Sequence, residues 1–137
     1  MNKKTTRTLM LMALGLLMAA CASTPPAPEQ TVEQRAQARW DHLIAGEAAE
    51  AWAFYTPGYR QITSLQEFDA WLKGRPIRWL AAEVQEGECD DPDRCIVVTS
   101  VTYRAPNAPT GINEMRMTRD IEEEWIRLDG QWWYVQN

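Results

Sequence analysis

Two cysteines separated by a short acidic segment, Cys89 and Cys95, are the first residues whose spacing indicates chemistry. Their C-x5-C spacing differs from the C-x-x-C spacing of redox-active thiols, so a structural disulfide is the favoured interpretation and a redox pair the alternative. The four acids between residues 88 and 93 offer oxygen ligands for Ca²⁺, but their spacing matches no calcium-binding loop. A disulfide within a solvated acidic turn is predicted.

Polar side chains elsewhere are candidates for acid–base chemistry. The first helix carries Asp41 and His42, and an acidic run covers residues 122–124. A carboxylate that exchanges protons near neutral pH needs burial to raise its pKa. A lone histidine is more often a surface or structural residue than a catalyst. The sequence holds no second histidine for zinc, no phosphate-binding glycine loop and no hydrolase motif, so we predict neither a metal nor a cofactor. The sequence identifies no catalytic residue.

Composition restricts the partners of the chain. The 137 residues suffice for one domain, 45% of them are apolar, and seven are tryptophan, which excludes a disordered chain. Acidic residues number 19 against 14 basic ones, and three of the basic ones lie within the first ten residues. Nucleic acid is excluded as a partner, because its phosphates require a basic face.

The N-terminus predicts export. Residues 1–7 are basic and residues 9–20 are apolar, a secretory signal pattern too short to span a membrane. The segment Met18-Ala19-Ala20-Cys21 resembles the lipobox of bacterial lipoproteins, with Met18 where leucine is usual. The resemblance implies that residues 1–20 are a cleaved lipoprotein signal peptide and that Cys21 is acylated and inserted into membrane lipid; an ordinary secreted protein is the alternative.

The residues after Cys21 predict a location and a spacer. Ala22 stands where aspartate would retain a lipoprotein at the inner membrane, so the resemblance implies the periplasmic face of the outer membrane of a Gram-negative bacterium. Residues 21–30 then form a Pro-rich tether. In this oxidising compartment Cys89 and Cys95 are expected to pair.

Helices are expected first in the remaining domain, residues 31–137. A capping box at Thr31 starts a helix that Gly46 ends, and a second helix runs from about residue 47 to Pro57. A short strand is predicted at residues 59–63 and a third helix at residues 64–74. Strands are predicted at residues 77–86, 95–104, 113–128 and 131–136, the last two joined by an Asp129-Gly130 hairpin turn. This order indicates an α+β domain, with the helices packed on a curved antiparallel sheet.

This element order, with the segments GEAAEAWAFYTPGYR and LDGQWWYV, resembles the NTF2-like superfamily, also called SnoaL-like or cystatin-like. The resemblance implies a cone-shaped pocket between helices and sheet. Candidate pocket residues are Asp41, Tyr55, Tyr59 and Tyr103. The tyrosine and aspartate of the ketosteroid isomerase pattern are replaced here by Arg39 and by residues 61–63.

Adjacent aromatic residues on the last strand are candidates for an interface. Trp132 and Trp133 must point to opposite faces of a strand, as must Tyr134 and the valine after it. A face that the helices leave uncovered would expose an aromatic patch to a homodimer or an envelope protein partner.

The sequence therefore favours a noncatalytic NTF2-like module that binds a protein partner or a small apolar ligand. A cyclase or isomerase acting through a polar residue in the cone is one alternative, and a component of a secretion or envelope assembly is another.

Overall fold

The computed structural model describes residues 29–105 and 115–136. Within them, four helices precede four antiparallel strands, so the predicted α+β class is confirmed. The predicted signal peptide, Cys21, most of the tether and the loop before the third strand lie outside the described residues. No helix in the described part of the chain is long and apolar enough to cross a membrane.

The first two helices are bounded by their caps. Helix α1 spans Val32–Ala45 and begins with the predicted capping box, in which the Thr31 hydroxyl accepts the backbone N–H of Gln34 and the Gln34 side chain accepts that of Thr31. It ends at Gly46, whose φ of +77° suits glycine. Helix α2, Ala48–Trp52, follows after one turn.

The prediction of a short strand at residues 59–63 is wrong, because most of this segment lies in helix α3, Pro57–Ile62. Pro57 occupies the first helical turn, where its missing N–H costs nothing, and the Thr56 hydroxyl accepts the N–H of Tyr59. Helix α4, Leu65–Gly74, starts at Ser64 with the second predicted capping box.

The sheet is a meander of β1 (Arg78–Asp91), β2 (Arg94–Ala105), β3 (Met115–Leu128) and β4 (Gln131–Tyr134) in that spatial order. Strand β1 runs five residues beyond its predicted end, because the acidic segment pairs with β2 up to a tight turn. Asp129 and Gly130 both adopt positive φ between β3 and β4, as the predicted hairpin turn requires.

Both edges of the sheet are bonded to other parts of the domain. At β1, the Gln37 side-chain amide of α1 donates to the carbonyl of Ala82 and accepts the N–H of Val84, both at 3.1 Å. At β4, the N–H of Tyr134 donates to the Phe54 carbonyl, and the Tyr134 carbonyl accepts the N–H of Thr56. This last pairing also explains why α2 ends earlier than predicted.

The core lies between the helices and the sheet face that they cover, here called the inner face. Alternate residues of β2 and β3 point into it, including Val97, Val101 and Trp125, which are fully buried. The helices contribute Ala36, Leu43 and Phe68. The opposite side of the sheet, the outer face, carries the other residues of each strand.

Candidate functional site

A buried ion pair occupies the space between α1 and the inner face. Arg39 and Glu123 are 3% and 2% exposed, and the Arg39 Nη1 lies 2.6 Å from the Glu123 Oε1. Arg39 is in the apolar stripe of α1, next to Trp40. Glu123 points inward from β3 because Glu122 and Glu124, its neighbours, point to the outer face. We call this arrangement the cone pair.

Further hydrogen bonds hold the cone pair in place. The Glu123 Oε2 accepts from the Trp40 Nε1 at 2.9 Å and from the Thr99 hydroxyl at 3.2 Å. The Arg39 Nη2 donates to the Tyr55 hydroxyl at 2.9 Å. Glu123 therefore accepts three hydrogen bonds from within the domain, which stabilise its negative charge in a site without solvent.

Aromatic rings surround the guanidinium of Arg39. Its central carbon lies 3.7 Å from the centroid of the Tyr134 ring and 4.9 Å from that of Tyr55. Tyr55 in turn stacks on Tyr59, with the ring centroids 4.7 Å apart. It also makes a T-shaped contact with Phe68, with the ring centroids 5.0 Å apart. Side chains of the domain itself therefore contact the cone pair on several sides.

The protonation states in this cluster follow from burial and charge. Burial disfavours the cation of Arg39, but the facing Tyr55 and Glu123 outweigh it and hold the pKa of Arg39 above its usual value. Burial raises the pKa of Tyr55, and it raises that of Tyr134 to about 12. Near neutral pH the cluster thus contains a charged arginine beside two neutral tyrosines.

A second arginine lies beside the cluster. The Arg75 guanidinium sits 3.1 Å from the ring centroid of Trp79 and 4.9 Å from that of Trp71. Burial lowers the pKa of Arg75 to about 10, and the positive charge of Arg39 acts in the same direction. Trp79 also packs edge-on against Trp40, whose ring lies 5.4 Å from the Arg39 guanidinium, so two indoles in edge-on contact lie between the two arginines.

The four candidate pocket residues do not form one site. Tyr55 is fully buried and Tyr59 is half-buried against it. Asp41 is exposed, where its carboxylate accepts from the Gln37 amide at 2.9 Å, because this position faces away from the core side of α1. Tyr103 is half-buried on β2, with Arg119 6.0 Å from its ring. The structure therefore brings together Tyr55 and Tyr59 only.

The three candidate interface residues are also divided between locations. Trp132 is 8% exposed and packs in the core, and Tyr134 contacts the cone pair. Trp133 points the other way, and the Arg60 guanidinium lies 4.9 Å from its ring. They do not form one aromatic patch.

The predicted disulfide between Cys89 and Cys95 is present, and it joins residues that face each other directly across β1 and β2. In the acidic turn, Asp93 accepts from the Arg127 Nε at 2.9 Å. Among the described residues, no group of three or more histidine, cysteine or acidic side chains is arranged to hold a metal.

Grooves on the surface of the described residues include three that neither Arg39 nor Glu123 lines. One of about 390 Å³ lies beside the β3–β4 turn, with Arg35 and Trp132 in its wall. One of about 600 Å³ lies between α2 and α4, with Ala48 and Leu65. The third, of about 580 Å³, lies on the outer face and is mostly acidic.

Sequence reasoning did not single out the cone pair, although a signal was present. Arg39 lies between Ala36 and Leu43, both in the apolar stripe of α1, and is followed by Trp40. Glu123 alternates with Trp125, which is fully buried on the same face of β3. Opposite charges on two faces that must both be buried predict an ion pair between them.

The sequence matches no protein-family model and no curated protein. Among solved structures, a SEC-C motif containing protein from Rhodopseudomonas palustris is similar at 13% identity with a TM-score of 0.60, over 77% of this chain and 76% of that one. A SEC-C motif containing protein from Psychrobacter arcticus is similar at 10% identity with a TM-score of 0.60. The similarity covers 79% of this chain and 60% of the Psychrobacter chain.

A ketosteroid isomerase-like protein from Erwinia carotovora atroseptica is similar at 16% identity with a TM-score of 0.55, over 76% of this chain and 90% of that chain. At these identities the similarities establish a shared fold alone. Helices packed on a curved antiparallel sheet are the architecture that this chain has in common with these proteins.

Proposed function

We propose that this chain is an outer-membrane lipoprotein whose NTF2-like domain serves as a noncatalytic binding module in the periplasm. The observation that carries the noncatalytic role is the cone pair, whereas the anchor rests on the lipobox resemblance that ends at Cys21. Ligand sites are concave spaces with a few polar groups directed into them. Here most polar atoms of the cone pair bond to groups within the domain, although the Nε atom of Arg39 and, nearby, the Nε1 atom of Trp125 are buried without a hydrogen-bond partner among the described residues. Aromatic rings lie directly against the Arg39 guanidinium.

The contacts of Glu123 argue against a catalytic base in the cone. A general base must come within hydrogen-bonding distance of the proton that it removes. Glu123 is 2% exposed and already accepts hydrogen bonds from Arg39, Trp40 and Thr99. A substrate would have to displace at least one of these donors and leave it buried without a partner, which costs about 1–3 kcal/mol.

Binding through a surface groove is compatible with the burial of the cone pair. The groove between α2 and α4 is largely apolar, with Ala48, Ala49 and Leu65 in its wall. Leu65 is 38% exposed, and Ile62, at the end of α3, is 81% exposed. A protein partner or a small apolar ligand that covered such residues would gain about 25 cal/mol for each Å² removed from water.

Fatty-acid labelling tests the anchor. The full chain, expressed in a Gram-negative host fed labelled palmitate, should carry the label and fractionate with the outer membrane. A Cys21→Ser variant should be unlabelled, and a Cys89→Ser variant should be labelled like the wild type. A label that persists in the Cys21→Ser variant, or is missing from the wild type, contradicts the lipoprotein assignment.

Ligand-induced stabilisation tests the noncatalytic role. Residues 22–137, produced with the disulfide intact, should show no change in melting temperature with a panel of steroid and polyketide ring compounds, because a ligand beside the cone pair would have to displace the buried side chains that contact it. A stabilisation that the matched variant Tyr55→Phe abolishes would place a ligand in the cone and favour the cyclase or isomerase alternative.

A further inference from the structure

One arginine beside the cone pair has no partner of opposite charge. Arg39 is balanced by Glu123, and burial keeps Tyr55 and Tyr134 neutral near pH 7. The Arg75 guanidinium makes no ion pair or hydrogen bond with the part of the chain that the structure describes, and its Nε atom is buried. This group of side chains therefore carries one uncompensated positive charge.

Burial and a neighbouring like charge both act against this cation. Burial lowers the pKa of Arg75 to about 10, and the positive charge of Arg39 adds to the effect. The guanidinium is still protonated near pH 7. A negative charge placed beside it would stabilise the cation, because it would offset both the burial and the repulsion.

The acidic side chains on the described elements around this arginine are engaged elsewhere. On the helices, Asp41, Glu67 and Asp69 each bond to a residue of their own helix or its cap. On the strands, Glu83 and Asp120 lie opposite the same serine of β2, whose side chain is on the outer face. None of these five carboxylates serves as the counterion of this arginine.

Aromatic surface adjoins the Arg75 guanidinium. Its central carbon lies 3.1 Å from the ring centroid of Trp79 and 4.9 Å from that of Trp71, which is 45% exposed. Trp79 is the direct cross-strand partner of Tyr103, and side chains paired in this way lie about 4.5–5.5 Å apart at Cβ.

A second arginine without an ion pair lies at the other end of these rings. The Arg119 guanidinium is 6.0 Å from the centroid of the Tyr103 ring, and it has no partner of opposite charge within residues 29–105 and 115–136. Two cations thus flank a strip of aromatic surface. We call this group, which consists of Arg75, Trp71, Trp79, Tyr103 and Arg119, the arginine–aromatic site.

The arginine–aromatic site is distinct from the features described above. Trp40 lies between it and Glu123, because Trp40 contacts Trp79 on one side and donates to Glu123 on the other. None of its residues lines the groove between α2 and α4. A ligand at this site can therefore bind without opening the cone pair.

We propose that the arginine–aromatic site binds a small aromatic carboxylate. The two carboxylate oxygens accept hydrogen bonds from the Nη atoms of Arg75, whose planar fork matches them. The ring of the ligand packs on the exposed surface of Trp71, because aromatic rings attract one another in offset or edge-on contact. Arg119 adds positive potential at the far end of the strip. This binding goes beyond the proposed function, which assigns no anionic ligand.

Three compounds test the ligand class on the wild-type domain. Residues 22–137, with the disulfide intact, are titrated while NMR follows the indole N–H signals of Trp71 and Trp79. We expect 2-naphthoate to bind with a Kd of about 1 mM or lower, as suits a ligand of its size. The uncharged isostere 2-naphthamide should bind at least about tenfold more weakly, and so should inorganic phosphate, which has charge but no ring.

Variants locate the binding. Arg75→Gln and Trp71→Ala should each weaken naphthoate binding at least about tenfold, and Arg119→Gln about threefold. Arg60→Gln is the matched control and should change the Kd by less than about twofold. Arg60 also lies over two indoles, at 5.3 and 4.9 Å, and has no ion pair among the described residues, but both of those rings are half-buried.

Four results would overturn the proposal. One is the absence of naphthoate binding at about 10 mM. Another is equal affinity for naphthoate and naphthamide, a comparison that needs no variant and so decides the question even if Arg75→Gln does not fold. Phosphate that binds as tightly as naphthoate would exclude recognition of the ring. Equal weakening by Arg60→Gln and Arg75→Gln would show that the ligand does not distinguish this site from another arginine over indoles.

Discussion

The cone pair should behave as one electrostatic unit, and a double-mutant cycle measures this directly. Both side chains are almost completely removed from water, at 4% and 2% exposure. Arg39→Met leaves the Glu123 charge buried with only neutral donors, and Glu123→Gln leaves the Arg39 charge without its counterion. Each single change should lower the free energy of unfolding by about 3–5 kcal/mol, the usual effect of leaving a buried charge unpaired.

The double variant should lose far less than the sum. It contains no buried charge, and the glutamine oxygen can still accept from the Trp40 indole, so we expect a coupling energy of at least about 2 kcal/mol. Urea unfolding of the oxidised domain, followed by tryptophan fluorescence, gives these values. If the single variants do not fold, a double variant that folds supports the same conclusion.

An exposed pair provides the control for this cycle. Lys73 and Asp69 also approach to 2.6 Å, but their side chains are 71% and 35% exposed. Their coupling should stay below about 0.5 kcal/mol, because water screens the interaction. Losses at Arg39 and Glu123 that add to within about 0.5 kcal/mol would refute the reasoning, since independent sites are additive.

Three further changes have expected outcomes. Reduction of the disulfide, or Cys89→Ser, should lower the free energy of unfolding by about 2 kcal/mol for a loop of this length; reductant should not affect the Cys89→Ser variant, and a response from it contradicts the assignment. Gly46→Ala should lower the free energy of unfolding by about 1–2 kcal/mol, because φ is +77° there. Gly58→Ala in α3 should leave the free energy of unfolding unchanged or raise it. Equal losses for the two variants in urea unfolding would exclude the backbone explanation. Because the folded chain raises the pKa of Tyr134 to about 12 from an ordinary value of about 10, stability should fall as the pH rises from about 10 to 12; Tyr134→Phe should reduce this fall, and an equally steep pH profile contradicts it.

The elements that the sequence predicts correctly are those fixed by local chemistry. The capping boxes at Thr31 and Ser64 depend on side chains three residues apart, and the turn at Gly130 depends on its own φ. The strand at residues 59–63 was predicted from an alternation of apolar and polar residues. That prediction gave too little weight to Pro57 and to the capping threonine before it, which together favour the start of a helix. Local signals of both kinds were present there, and the cap determined the structure.

The candidate site was less predictable because it depends on contacts between distant parts of the chain. Arg39 and Glu123 are 84 residues apart, and their pairing requires the register of β3 against β2 to point Glu123 inward. Composition and motifs do not encode that register. Tyr55 could be named because the amphipathic pattern marked its position, but its partner, the Arg39 guanidinium, could not.

The hydrogen bonds of the Gln37 amide to Ala82 and Val84 have a consequence for chains at high concentration. An open strand edge is a template on which a neighbouring chain adds its own strand, the first step of ordered aggregation. Gln37 makes the two hydrogen bonds that a neighbouring strand would make to Ala82 and Val84, so it occupies part of the β1 edge and leaves it unavailable to another chain. Two copies that meet at high concentration would then find this stretch of the edge already filled, and contact between them would be directed to other surfaces.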